Sequence, residues 1–207
     1  MNITVCGLYT YSHCRHPHIG VLKSYCRDFS VKGLREGVNV LTCPLNGNGW
    51  GLSNCLCNKK MMSSDAEGEF FLNGKNISLQ VLRRKSFYIC GFEPDLIQRL
   101  THKKVRDIIS SGNDEIFGFL LENDIPDREI TNLGNWRYIV SFYLGVQKGA
   151  RIFGFPWISA SQAEIQEERL RLISDFARKN DLLVILPCEP GSERFLNGSE
   201  FRLYKNI

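Results

Sequence analysis

The segment "LTCPLNGNGWGLSN", Leu41 to Asn54, decides how this chain is read. A β-prone run, "GVNVLTC", enters it, three glycines and asparagines fill it, and a segment ending in "CLC" leaves it. Glycines between a strand and a helix let backbone amides close around an anion, because no Cβ stands in the way and a helix N-terminus points its N–H groups outward. The segment therefore has the shape of a phosphate-binding loop. The lysine and the hydroxyl that give such a loop its chemistry are absent.

Working outward, the alternation in "NITVCGLY" predicts a strand, and "IGVLKSYCRDFSV" one or two more. "GVNVLTC" and "KSFYICGF" read as buried strands, and Asn73-Gly74 inside "GEFFLNGKNISLQ" predicts a hairpin. From His102 to about Asp124 the apolar spacing turns helical, and "WRYIVSFYLGVQKG" is a further helix. "ARIFGF" and "DLLVILP" suit buried parallel strands. Between them, Ser159 and Ser161 can cap "AEIQEERLRLISDFARKN", whose acidic start and basic end fit the helix dipole. Asn197-Gly198 in "ERFLNGSEFRLYKN" predicts a second hairpin. The order of parts gives an α/β protein with an added antiparallel β part.

Composition narrows the function classes. A formal net charge of +4 over 207 residues, with Lys and Arg scattered, gives no basic stripe, so no nucleic-acid partner is expected. No run approaches the roughly 18 apolar residues of a membrane span, and "MNITVCGLY" lacks the charged n-region and long apolar core of a signal peptide, so none is expected. A cytoplasmic chain is expected. Most of the eight cysteines sit in apolar or strand-like runs and read as small buried hydrophobes.

The order of parts resembles the nucleotide-binding domain of ATP-binding cassette (ABC) transporters over nearly the whole chain. "PLNGNGWGLSN" matches the Asn-Gly-x-Gly of that family's phosphate loop at Asn46, Gly47 and Gly49. "GEFFLNGKNIS" matches its hairpin, and "FYICGFEPDLIQRLTHKKV" its glutamine loop and the start of its helical part. "ITNLGNWRYIVSFYLGV" stands at the signature, "ARIFGFPWISAS" at the acidic strand end, and "LLVILPCEP" at the histidine strand. The resemblance implies a P-loop NTPase-like core with an antiparallel β subdomain and a helical subdomain. Residues 1–207 would form one cassette, with about 101–149 as the helical and signature part.

The resemblance also shows what is missing. In the loop Asn46, Gly47, Asn48, Gly49, Trp50 and Gly51, the lysine position is Trp50 and the hydroxyl position Gly51. The glutamine is replaced near Phe92. Pro156 and Trp157 stand where a magnesium-holding aspartate and a glutamate base belong, and Cys188 stands in place of the switch histidine. The signature reads Leu133, Gly134, Asn135, Trp136 and Arg137. Trp50, Trp136 and Trp157 are bulky enough to fill space that nucleotide would take. Tyr9 or Tyr11 lies about where an adenine-stacking aromatic would be.

Outside that frame, "HCRHPH" crowds His13, Cys14, His16 and His18 together. These are weak candidate ligands for zinc or copper, against a solvated loop. Glu164, Glu167 and Glu168 read as a solvated helix face.

The implied function is a degenerate, non-hydrolysing ABC subunit, structural or regulatory. It would dock to a membrane permease at the inner face of the membrane and pair with itself or with an active ATPase subunit. The alternatives are a divergent ATPase and a metal-binding module. No cofactor is expected, with ATP and Mg2+ relevant only if the loop still binds them.

Overall fold

The computed structural model describes residues 1–16, 20–58, 62–63, 66–89 and 102–205, and the side chains of 12–16, 20–22 and 62–63 fall outside that description. The chain divides into two compact units, Met1–Tyr88 with Arg151–Ile207, and Ile89–Ala150.

The first unit holds two sheets. In the antiparallel one, β1 (Asn2–His16) pairs with β2 (Gly20–Arg35), β4 (Met62–Ser63) and β5 (Glu67–Leu72), and β5 pairs with β6 (Lys75–Asn76). Ile3, Val5 and Leu8 of β1 and Phe29, Val31 and Leu34 of β2 are buried, while Tyr9, Tyr11 and Tyr25 stand exposed. The β1–β2 register slips between Val5 and Leu8, where Gly7 takes φ +58°, as a bulge requires. Asn73 (φ +51°) and Gly74 (φ +79°) make the two-residue primed turn that closes the β5–β6 hairpin.

The second sheet is parallel, in the order β10 (Phe201–Tyr204), β3 (Gly37–Thr42), β9 (Leu183–Cys188), β8 (Ile152–Gly154) and β7 (Ser86–Tyr88). Every residue of β3 and β9 is buried, which explains the apolar run of β9; the polar Asn39 of β3 donates its buried side-chain amide to the Arg35, Gly37 and Val184 carbonyls. Helix α1 (Asn48–Cys57) touches both sheets, and all of Gly49 to Cys57 is buried. One apolar core runs from Ile3 and Phe29 through Leu52 and Leu56 to Leu183 and Ile185. The short α2 (Leu79–Arg84) leads into β7. The expected fold class, α/β with an antiparallel part, is the one adopted.

In the second unit, α3 (Glu115–Glu122) is capped by Asp114, which accepts the Phe117 amide (2.9 Å). Tyr143 of α4 (Arg137–Gln147) donates its hydroxyl to the same carboxylate (2.6 Å). Burial first, then Asp114, pushes the Tyr143 pKa up to about 12. Ile116, Leu120, Ile139 and Phe142 are fully buried.

Three expectations need correction. Asn197-Gly198 closes no hairpin, because β10 pairs in parallel with β3, and the segment before it turns through a 3-10 stretch that buries Leu196. The first half of the helical stretch after His102 is only a 3-10 turn at Val105–Asp107. The last helix, α5 (Ala160–Lys179), has no acid in its first turn. Its N-terminus is satisfied by a Ser159–Gln162 capping box and by Glu189, whose Oε2 accepts the Ala160 amide (2.9 Å).

Candidate functional site

The loop after β3 is built by one tight turn. The Gly47 amide donates to the Pro44 carbonyl (2.9 Å), Asn46 takes φ +69°, and Gly47 then precedes α1 in extended conformation. The first turn of α1 is Asn48-Gly49-Trp50-Gly51, with no acid, no base and no side-chain cap at Gly47. Its orphan amides must find partners elsewhere.

Two of them face Cys43. Its sulfur lies 3.0 Å from the place where a Cβ on Gly49 would stand. Burial pushes the Cys43 thiol pKa up, and the Gly49 and Trp50 amides offset part of the rise. A phosphate at a helix N-terminus meets donors of the same kind. The Cys43 sulfur thus stands beside the amides that an anion would use.

Strand β2 lies directly across the helix start. A Cβ on Gly51 would fall 2.4 Å from the Tyr25 carbonyl oxygen. The Arg27 amide donates to Asn48 Oδ1 (3.2 Å), the Cys26 thiol donates to the Asn48 carbonyl (3.2 Å), and the Tyr25 amide donates to the Asn46 carbonyl (3.3 Å).

The C-terminal ends of β8 and β9 complete the surroundings. Trp157 donates its indole N–H to the Cys43 carbonyl (3.0 Å), and Cys43 donates its amide to the Cys188 carbonyl (2.9 Å). Burial pushes the Cys188 thiol up to about 12. Trp50 is buried and donates its indole N–H to the Tyr88 hydroxyl (3.3 Å). Ser53, the next hydroxyl along α1, is buried and donates to the Phe155 carbonyl (2.6 Å). The first turn therefore offers a magnesium-bound triphosphate neither a side-chain cation nor a hydroxyl.

The fold brings Asn46 to Gly51, Trp157 and Cys188 to one place. Pro156 sits between Phe155 and Trp157 in that segment. Tyr9 and Tyr11 share an open cavity with Asn46. The signature residues belong to the second unit. There Leu133 is buried, Gly134 (φ +50°), Asn135 and Trp136 form a 3-10 turn, and Trp136 packs on Phe119 with ring centroids 5.5 Å apart. Arg137 opens α4 and lies over the Tyr138 ring. Phe92 and His18 lie outside the described residues, as do the side chains of His13, Cys14 and His16. Among the described residues, no group of three or more His, Cys, Asp or Glu could hold a metal ion, and the metal-binding alternative has no support from them.

Cys43 went unmarked by sequence reasoning, which counted it among buried hydrophobes. Its one signal was position, directly after the strand that feeds the loop. Lys23, Tyr25 and Arg27 were also missed, although their every-other spacing puts them on one face of β2.

The sequence matches no protein-family model and no curated protein. Solved structures do match. A nucleotide-free ATP-binding cassette from an ABC transporter is 14% identical, with TM-score 0.57 over 95% of this chain and 85% of that one. A protein of Pyrococcus furiosus described as an ABC transporter ATP-binding protein is 13% identical, with TM-score 0.52 over 91% and 92%. The protein cbiO1 from Clostridium perfringens, part of the ABC transporter complex cbiONQ, is 13% identical, with TM-score 0.50 over 90% and 77%. The chain has the fold of an ATP-binding cassette.

Proposed function

We propose that this chain is an ABC-type subunit that does not hydrolyse ATP and serves as a structural or regulatory partner of a membrane permease. The observation that carries the reading is the loop itself: the first turn of α1 has no cation and no hydroxyl, and the Cys43 sulfur stands beside its Gly49 and Trp50 amides. Phosphoryl transfer is almost entirely positioning and electrostatic stabilisation, so no other chemistry compensates. Loss of a single preorganised donor costs roughly a factor of 10²–10³ in rate. Here Trp50, Gly51, Pro156, Trp157 and Cys188 stand at the lysine, hydroxyl, aspartate, glutamate and histidine positions that the resemblance assigns.

Residues 1–207 act as one cassette in this reading, with about 101–149 as the helical part that meets the permease. The chain sits peripherally on the cytoplasmic face and pairs with itself or with an active ATPase subunit. Support for a permease partner comes from a fold neighbour that is part of a transporter complex. Among the described residues no helix is long and apolar enough to cross a membrane, which fits attachment through another protein.

The deciding experiment is calorimetric titration of the pure protein with ATP, with and without magnesium, beside a phosphate-release assay. No heat at millimolar ATP and no turnover above background are expected. Magnesium-dependent micromolar binding, or measurable hydrolysis, would refute the reading and restore the divergent ATPase.

A further inference from the structure

We propose that the end of the parallel sheet remote from the loop holds a binding site for a single-chain aliphatic carboxylate, with the chain in an apolar cavity and the carboxylate on Lys85 and Arg151. The cavity is about 320 Å3, within the range of small-ligand pockets. Its floor is Leu82 and Ile152, both buried members of the main core. Its walls are Leu72 and Ile77, half-buried against that core, and Val81, which is 39% exposed. An alkyl chain laid there takes the remaining apolar surface of these side chains out of water.

Topology brings the charges to this cavity. Lys85 precedes β7, Arg151 precedes β8 and Asp181 stands two residues before β9, so all three lie at the N-terminal ends of adjacent parallel strands. The Lys85 carbonyl accepts the amides of both Arg151 (2.8 Å) and Ile152 (3.1 Å), which holds the two cation-bearing residues side by side. At the β5–β6 turn, Asn73 also lines the cavity and is tied to Asn2 in both directions. It accepts the Asn2 amide through Oδ1 (2.9 Å) and donates its own amide to the Asn2 carbonyl (2.8 Å). The site is thereby fixed before a ligand arrives, which lowers the ordering cost of binding. Among the described residues neither Lys85 nor Arg151 has a carboxylate within ion-pair distance, although Asp181 lines the same cavity.

Guanidinium and ammonium groups hold a carboxylate by charge-assisted hydrogen bonds. The two cations against Asp181 leave one positive charge, which matches a carboxylate, a monoanion at neutral pH. A neutral apolar occupant would leave both cations unused, and a cationic one would be repelled by them. No step of this inference uses the loop after β3, so it stands apart from the proposed function.

The test titrates the whole chain by calorimetry with octanoate, with octylammonium, which has the same tail and the opposite charge, and with acetate, which lacks the tail. Saturable binding of one octanoate per chain is expected, with octylammonium and acetate much weaker. Lys85→Gln and Arg151→Gln should each weaken octanoate about five-fold. Asp181→Asn should tighten it, which loss of folding cannot do, and asparagine tolerates the φ of +54° at that position. All three sites are exposed, and urea midpoints confirm that the variants fold. No saturable octanoate binding up to about 10 mM overturns the proposal. So does an equal affinity for octylammonium or acetate, or an octanoate affinity that the charge variants leave unchanged.

Discussion

Replacing Cys43 by glycine tests whether its sulfur fills the place an anion would take at the start of α1. The thiol is 1% exposed, so its removal forfeits the burial of a small apolar group, on the order of 1 kcal/mol. It also removes the sulfur that the Gly49 and Trp50 amides face. A buried donor without a partner costs about 1–3 kcal/mol. Cys43→Gly should therefore lose about 3–7 kcal/mol in anion-free buffer if both amides are left unpartnered, less whatever water recovers. The emptied seat is then an anion site, so phosphate should restore stability selectively in the variant. For a millimolar site, about 10 mM phosphate would return roughly 1.4 kcal/mol by mass action. The assay is urea unfolding in phosphate against chloride at matched ionic strength. General salting-out by phosphate acts on wild type and variant alike, so only the difference between them counts. Cys43→Ser, which keeps an acceptor in the seat, should behave as wild type. An equal phosphate response in wild type and Cys43→Gly would show that the sulfur does not occupy the seat.

Gly51→Ala would push a Cβ to 2.4 Å from the Tyr25 carbonyl oxygen, backbone that cannot swing away, and should cost about 1–3 kcal/mol in urea unfolding. Gly118→Ala in α3 meets nothing within 4 Å and should instead stabilise by about 0.5–1 kcal/mol; a loss would contradict the helix assignment. Asp114→Ala removes both the α3 cap and the acceptor of Tyr143, and should cost about 1–2 kcal/mol, with Asp114→Asn recovering most of it. The pKa values of Cys26, Cys43, Cys55 and Cys188 are all raised, chiefly by burial. A raised thiol stabilises fully below its unfolded value and less as pH climbs. Stability should be flat to about pH 8.5 and then fall, by up to about 1.4 kcal/mol per pH unit for each thiol; a flat urea midpoint to pH 10.5 would refute this.

Much of the fold was legible because its signals were local. β9 is apolar without interruption, and β3 is interrupted only by Asn39 before its terminal Thr42, since both strands are buried on both faces, and Ser159 with Gln162 is a cap that needs no distant partner. The two Asn-Gly pairs show where local signals stop. Asn73-Gly74 closes a hairpin because β5 and β6 are free to pair, whereas the strand after Asn197-Gly198 joins the edge of β3, far back in the chain. The loop position was legible too, but its occupant was not. Cys43 meets the Gly49 and Trp50 amides only because the turn at Asn46 folds the helix start back over the strand end. The cavity beside it was illegible for the same reason: it needs the registers of β1, β2 and β5 together.

The glycines that made the loop look like a phosphate site have a sufficient cause without phosphate. A Cβ on Gly49 would stand 3.0 Å from both the Cys43 sulfur and the Leu41 Cβ, and one on Gly51 would collide with β2. Both glycines are therefore required by a helix buried between two sheets, where the backbones run too close for side chains. In the proposed function, Trp50, Pro156 and Trp157 stand where an active cassette has its lysine and acidic residues, and the indoles of both tryptophans add hydrogen bonds to the frame. In that reading the loop keeps its outline under packing constraint alone. In a chain built this way, glycine spacing reports the architecture, and only the charged residues report the chemistry.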